Sequence, residues 1–289
     1  MKKSVIGLGL AGLLMIVGCS TPAQEEVVHI EEDAAPRIVA DYYVGELLTL
    51  GVNLVGADLT FISSAWADYI EEVVNVGQSL EMVAALTPDL IVTMREELVA
   101  QYENIAPTIL IPWGTYNPTE LILVLGEKLD RVEEAQTWIA NFEGQIERLA
   151  EVMPDTSYTF SIIDILGTDL VLYGEHFARA GYIIYNRLGF FGTPMAEADY
   201  IRQPDSWLVL SPEAMPNYIG DYLLMLNTEG TPESEAELTS FFTDTLIWEG
   251  LPAVQNENVF FLRSEDFWYA DPISLDLQVE ILMEIFNER

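Results

Sequence analysis

From residue 36 onward the chain alternates short apolar runs with stretches of helical spacing. Runs at 37–40, 52–57, 89–93 and 108–112 read as buried strands. Between them lie helical segments at 41–50, closed by Gly51, and at 96–104. Ser79 opens a further short helix, with Glu81 and Met82 in its first turn and Pro88 past its end. The second half repeats the alternation. Strands are expected at 159–165, 170–173, 207–210, 222–226 and 259–262. Helices are expected at 177–188 before Gly189, at 212–218, at 233–242 and at 273–286. Such alternation predicts an α/β chain with mainly parallel sheets.

One segment is different. Over 118–152 apolar residues recur near helical spacing: Leu121, Leu125, Leu129, Val132, Trp138, Ile139, Phe142, Ile146 and Leu149. At ~1.5 Å per residue this would extend roughly 50 Å. It reads either as two packed helices broken near Asp130 or as one backbone helix joining two lobes. The halves on either side also echo each other. Ser79-Leu80-Glu81 precedes the run at 88–92, and Ser211-Pro212-Glu213 precedes the run at 220–224, each placing an acid in the first turn before a buried strand.

The N-terminus reads as an address. Lys2 and Lys3 precede an apolar run at 5–17, too short to span a bilayer but suited to a secretory leader. The run ends Ile16-Val17-Gly18-Cys19, and this resembles a bacterial lipobox. The expectation is a signal peptide at 1–18, lipidation at Cys19 and an acidic tether to residue 35. Such a chain lies at the extracytoplasmic face of the cell membrane, held by its lipid.

Composition narrows the function. The 12 basic and 47 acidic residues give a formal charge of −35, which disfavours nucleic-acid partners. One cysteine and two histidines leave little for a disulfide, a thiolate cluster or a His-rich metal site. No glycine-rich phosphate loop and no Gly-x-Ser-x-Gly elbow is present. Glu175 and His176 are sequence neighbours, which do not face each other on a helix.

The stretches 80–92, 105–116, 172–188 and 248–272 resemble the bacterial substrate-binding proteins that serve iron–siderophore and cobalamin importers. The resemblance covers about residues 36–287. Within that family it is nearest to Gram-positive lipoproteins for ferric hydroxamate or citrate–hydroxamate siderophores, marked by a Tyr-Gly, an Arg-Gly-Gly and an Ile-Tyr. This chain has Tyr173-Gly174, Arg179-Ala180-Gly181 and Ile184-Tyr185, with alanine at the middle glycine. The resemblance implies two similar α/β lobes joined by one long α-helix, with the ligand cleft between them. The N-terminal lobe would occupy 36–117, the connecting helix 118–152 and the C-terminal lobe 153–289. It further implies a monomer that does no covalent chemistry, closes modestly on a ferric siderophore and delivers it to an ABC permease. The siderophore holds the iron, so neither a cofactor nor a protein metal site is expected. Haem or cobalamin is the alternative ligand on this fold, and haem would draw an axial ligand from His176 or a cleft tyrosine.

A ferric siderophore needs aromatic walls and a few donors aimed at its oxygens. Candidates sit where open α/β sheets bind ligands, past the C-terminal ends of strands. Arg95, Trp113 and Tyr116 meet that rule. Arg179 lies in the family-like motif, Trp207 matches a family position facing the cleft, and Trp268 and Tyr269 fall on a family cleft loop. Tyr42, Tyr43, Trp66 and Arg202 are further candidates. The ordinary alternatives are a solvated arginine, packing at the lobe junction, a structural ion pair and plain core. Few basic residues favour weakly charged hydroxamates over anionic catecholates. In the family one glutamate per lobe meets the permease, a role that Glu81 and Glu213 match; each also suits a helix dipole.

Overall fold

Two five-stranded sheets carry the alternation read from the sequence. The computed structural model describes residues 35–287, apart from 168, 177, 204–205 and 228–244. The leader, Cys19, the tether and the helix expected at 233–242 lie outside the described residues.

The first sheet holds β1 (Ile38–Ala40), β2 (Leu54–Ala57), β3 (Val74–Asn75), β4 (Leu90–Thr93) and β5 (Thr108–Leu110), in the order β3-β2-β1-β4-β5 and parallel throughout. The second holds β6 (Phe160–Leu166), β7 (Asp169–Tyr173), β8 (Trp207–Leu210), β9 (Tyr222–Asn227) and β10 (Val259–Arg263), in the order β8-β7-β6-β9-β10. Counted from its own first strand, each sheet therefore reads 3-2-1-4-5. The sheets differ in direction. β6, β9 and β10 run parallel, whereas β7 pairs antiparallel with both β6 and β8, so β7 alone is reversed and the expectation of mainly parallel sheets fails for two of the second sheet's four pairings. A tight turn through Gly167 (φ 62°) joins β6 to β7. A parallel return would need a crossover of a dozen or more residues.

Short helices decorate the first lobe: α1 (Val44–Thr49), α2 (Leu80–Ala85) and α3 (Val99–Tyr102). The segment 118–152 is not one rod. It forms α4 (Pro118–Leu129) and α5 (Val132–Val152). Asn117 and Glu120 build a reciprocal capping box at the start of α4, with Pro118 in the first turn. The helix ends where Asp130 turns left-handed (φ 56°) and the Arg131 amide donates back to the Gly126 carbonyl at 2.7 Å. Gly126 permits that return, because a Cβ there would press on the Arg131 carbonyl and the Ala135 side chain. The 21-residue α5 is the long helix joining the lobes, about 30 Å of it at 1.5 Å per residue.

The second lobe adds α6 (Pro194–Ala196), α7 (Met215–Tyr218), α8 (Leu246–Glu249), α9 (Pro252–Gln255), α10 (Ser264–Phe267) and the C-terminal α11 (Pro272–Asn287). The helix expected at 177–188 is shorter, a wide-turned π segment over Tyr182–Arg187. Arg179 and Ala180 just before it are left-handed (φ 68° and 67°), which a helix does not allow.

One continuous apolar core runs through both lobes. Ile38, Ala40 and Val92 of the first sheet share it with Leu125, Trp138 and Phe142 of α4 and α5, Ile163 and Leu224 of the second sheet, and Leu275 and Leu282 of α11. The opposite face of the first sheet, with Val39 and Ile91, covers a smaller cluster with Val83 and Tyr102. Alternate residues of each strand thus feed different cores.

Candidate functional site

The first sheet switches direction of winding between β1 and β4, and ligands bind outside the carboxyl ends of strands at such a point. The chain leaves β1 into Asp41, Tyr42 and Tyr43, leaves β4 into Met94 and Arg95, and leaves β5 into Ile111, Pro112 and Trp113. Facing them are the end of β7, His176, Ala178 and Arg179, and the loop at 268–271. Between the two sets lies a cavity of about 250 Å³, lined among others by Tyr42, Tyr43, Trp66, Trp113, Tyr116, Tyr173, Arg179, Trp268 and Tyr269. Trp113 and Tyr116 stand at its exposed rim.

The wall is aromatic and internally braced. Tyr42 and Tyr43 meet edge to face at 5.1 Å, and Trp66 lies 4.6 Å from Tyr269. Trp113 bonds the Tyr42 side chain. The Tyr43 hydroxyl donates to the Ile111 carbonyl at 2.7 Å. Tyr269 donates across the cleft to the Phe61 carbonyl at 3.0 Å, and Phe61 packs edge-on against Trp268. The buried Trp268 indole N–H has no acceptor among the described residues, an open donor within the wall. Burial pushes the Tyr42 phenol up to about 12, and it raises Tyr43, Tyr173 and Tyr269 as well, so all four are neutral hydrogen-bonding groups at physiological pH.

Arg179 is the cationic group of the cavity. Its Nε donates to Asp164 at 2.8 Å and its Nη1 to the Trp268 carbonyl at 3.0 Å, while the guanidinium lies 5.2 Å from the Tyr173 ring centre. Asp164 is fully buried and also accepts from the Ser264 hydroxyl. The left-handed backbone turns the Arg179 amide onto the Phe267 carbonyl at 2.8 Å. Gly181 lies so close to the Gly174 carbonyl that any Cβ would overlap it. The Tyr-Gly and Arg-x-Gly signature is therefore one packed unit, two glycines letting two backbones touch so that one arginine is aimed.

Five of the seven expected ligand residues line the cavity: Trp113, Tyr116, Arg179, Trp268 and Tyr269. Arg95 does not. It stands behind the wall, with Nη2 on Asp58 at 3.1 Å and Nε 3.9 Å from Asp41. Asp58 lines the cavity in its place. Trp207 is also outside the lining. It is half exposed on the edge strand β8, opposite Tyr173 in an antiparallel register that puts both side chains on one sheet face. Arg202 is occupied by Glu175 and Glu197. The lesser candidates Tyr42, Tyr43 and Trp66 are all in the wall.

Three carboxylates in the lining escaped the sequence reading: Glu46, Asp58 and Asp271. Asp271 caps α11, accepting from the Ile273 and Ser274 amides, the Ser274 hydroxyl and the Trp66 indole. Glu46 is 5 % exposed, and burial together with the Asp271 charge pushes its carboxyl up to about 8. Burial raises Asp271 too, but its four donors favour the ionised form, so the proton of this pair resides on Glu46. His176 is half exposed at the cavity edge, 3.4 Å from Glu175. Among the described residues no three His, Cys, Asp or Glu side chains are grouped to hold a metal ion. Nor is any described helix long and apolar enough to cross a membrane.

Residues 43–265 match the periplasmic binding protein family. The chain belongs to that family. Periplasmic binding proteins are substrate-binding components of ABC transporters rather than enzymes, and they work outside the cytoplasm. Among relatives, the iron(3+)-hydroxamate-binding protein YxeB of Bacillus subtilis is 30 % identical, covering 100 % of this chain and 98 % of that protein. The iron(3+)-hydroxamate-binding protein FhuD of the same bacterium is 30 % identical over 86 % of this chain and 79 % of its own length. The solved FhuD protein from S. pseudintermedius superposes with a TM-score of 0.77 at 26 % identity, covering 87 % of this chain and 91 % of that one. In this periplasmic binding protein the cavity lies between two α/β lobes joined by a helix.

Proposed function

We propose that this protein captures a ferric hydroxamate or citrate–hydroxamate siderophore in the cavity between its lobes and delivers it to an ABC permease. The observation that carries the reading is an aromatic-walled cavity whose lining arginine, Arg179, already has its charge balanced by buried Asp164. A tris-catecholate complex is strongly anionic and calls for surplus positive charge. The lining residues hold no other arginine or lysine. A near-neutral hydroxamate complex needs the apolar area of Trp113, Tyr116, Trp268 and Tyr269 and a few donors, which Arg179 and the tyrosine hydroxyls supply. Trp207, beside Tyr173 on the same sheet face, widens that aromatic surface at the rim. Arg95 acts from behind by fixing Asp58.

The rest of the reading completes an importer component. Cys19 carries the lipid after the leader is removed, the body is a monomer without covalent chemistry, and exposed Glu81 and Glu213 meet the permease. The two glutamates lie in equivalent places, each in the first turn before the fourth strand of its sheet.

The test is a titration of the purified protein, followed by tryptophan fluorescence. Its panel is a ferric trihydroxamate, a ferric citrate–hydroxamate, a ferric tris-catecholate, haem and cobalamin. Submicromolar quenching by a hydroxamate is the expected result. Arg179→Lys keeps the charge opposite Asp164 but loses the planar fork, and should weaken that binding about tenfold, the worth of one charge-assisted hydrogen bond. Tight binding to the catecholate, haem or cobalamin alone would refute the ligand class.

A further inference from the structure

Glu46 has no role in the reading above, yet it is the most deeply buried carboxyl with a face on the cavity apart from Asp271. The neighbouring charges are accounted for. Arg95 holds Asp58 and Asp41, Arg179 holds Asp164, and Asp271 is held by its four donors. Glu46 receives a hydrogen bond only from its own backbone amide, and no basic group faces it among the described residues. It is fixed in place, because a Cβ at the adjacent Gly45 would overlap the Asp271 carboxyl, so α1 lies directly on the start of α11. Around it the same cavity presents Tyr42, Tyr43, Trp66 and Tyr269, with Tyr42 and Tyr269 6.3 Å apart. A buried carboxyl without a counter-ion, set among aromatic faces, is the chemistry that recognises an organic ammonium.

We propose that Glu46, with Tyr42, Trp66 and Tyr269, forms a subsite for a protonated amine on the siderophore, so that the cleft prefers ferric hydroxamates with a cationic tail to uncharged ones. The inference rests on the hydroxamate reading and deepens it.

A thermodynamic signature follows. In the empty cleft Glu46 carries a proton at neutral pH, since burial and Asp271 hold its carboxyl near 8. An alkylammonium, with a pKa of about 10.4, enters charged and displaces that proton. Other charged and polar groups face the same cavity. Asp271 is held ionised, the Tyr42, Tyr43 and Tyr269 phenols are raised by burial, and α4 contributes only Pro118 and Leu121. At the cleft edge Asp58 is paired with Arg95, and His176 lies against Glu175. Affinity for the cation should therefore climb with pH, up to about tenfold per unit, and level off above about pH 8.

The experiment is isothermal titration calorimetry on the full-length protein with two probes. One is a ferric linear trihydroxamate bearing a terminal primary amine, the other the same complex with its amine acetylated. Titrations run from pH 6.5 to 8.5, in pairs of buffers of different ionisation enthalpy. The expected result at pH 8.5 is at least tenfold tighter binding of the amine probe. At pH 7 that probe should release close to one proton, and the acetylated probe none. In Glu46→Gln the ratio of the two dissociation constants should fall below about two. Equal affinities in the unsubstituted protein, or a ratio retained in Glu46→Gln, would overturn the subsite. Should Glu46→Gln not fold, the proton count in the unsubstituted protein decides. Failure of both probes to bind is a different result, which removes the hydroxamate reading and this subsite with it.

Discussion

Arg179 reaches the cavity because two consecutive non-glycine residues accept left-handed backbone, a conformation that costs roughly 1–2 kcal/mol per residue. Hydrogen bonds from its amide to Phe267 and from its side chain to Asp164 and Trp268 hold it there. Ala180 stands where the family signature has glycine, and its methyl is buried in the core, which offsets part of the strain. Gly181 has no such latitude. Gly181→Ala drives a methyl into the Gly174 carbonyl and should cost about 1–3 kcal/mol, read as a lower urea midpoint, with weakened ligand binding as Arg179 shifts. The signature residues were legible because they resemble a family pattern. Glu46 and Asp58 were not, since in a chain of 47 acids nothing local marks the carboxyl that a fold will bury.

At the scale of elements, the paired helices show where periodicity stops informing. The apolar stripe continues across Asp130, so spacing alone leaves open one rod or two helices broken there. The break depends on Gly126 and on an aspartate taking a left-handed cap usually given to glycine or asparagine. Short strands with tight turns were equally opaque in direction, because a two-sided buried run looks alike whether parallel or antiparallel. The contact of α5 with α11 carries a prediction of its own. Trp138 donates to Asp276 at 3.1 Å, and Oε1 of the neighbouring Gln145 has no partner among the described residues. Burial, only partly offset by Trp138 and Gln145, pushes Asp276 up to about 6. The folded protein therefore holds this proton more tightly than the unfolded chain does. The cost is absent below about pH 4, accrues as pH rises toward 6, and is complete above that. Asp276→Asn should stabilise the protein by about 1–2 kcal/mol at pH 7.5, discounted for partial exposure, and by nearly nothing at pH 3.5. Thermal melts at the two pH values check this, and equal shifts at both would refute it.

The whole molecule repeats one plan twice, with the same strand order in both sheets and with Glu81 and Glu213 at equivalent turns. The serine–acid echo in the sequence reported this symmetry. The reversed hairpin of the second lobe left no trace there, because Gly167 reads as an ordinary turn. Glu81 is fully exposed, and its own backbone amide and then the Ser79 hydroxyl hold its carboxyl below the usual range, so it stays ionised on the surface. Replacing Glu81 and Glu213 together by alanine should abolish iron uptake by whole cells, with each single replacement in between. Titration of the purified variants then separates docking from capture. Full uptake by the double variant would remove the docking role.

Because a single apolar core threads both sheets, α4, α5 and α11, the lobes have little freedom to part and little rearrangement to make when cargo arrives. Encounter then becomes a matter of diffusion and orientation, with association rate constants near the typical 10⁵–10⁷ M⁻¹s⁻¹, about the same for any chelate that reaches the mouth. Discrimination between cargoes falls to residence time. A stopped-flow comparison of good and poor ligands should find their on-rates within about tenfold of each other and their off-rates spread over several decades.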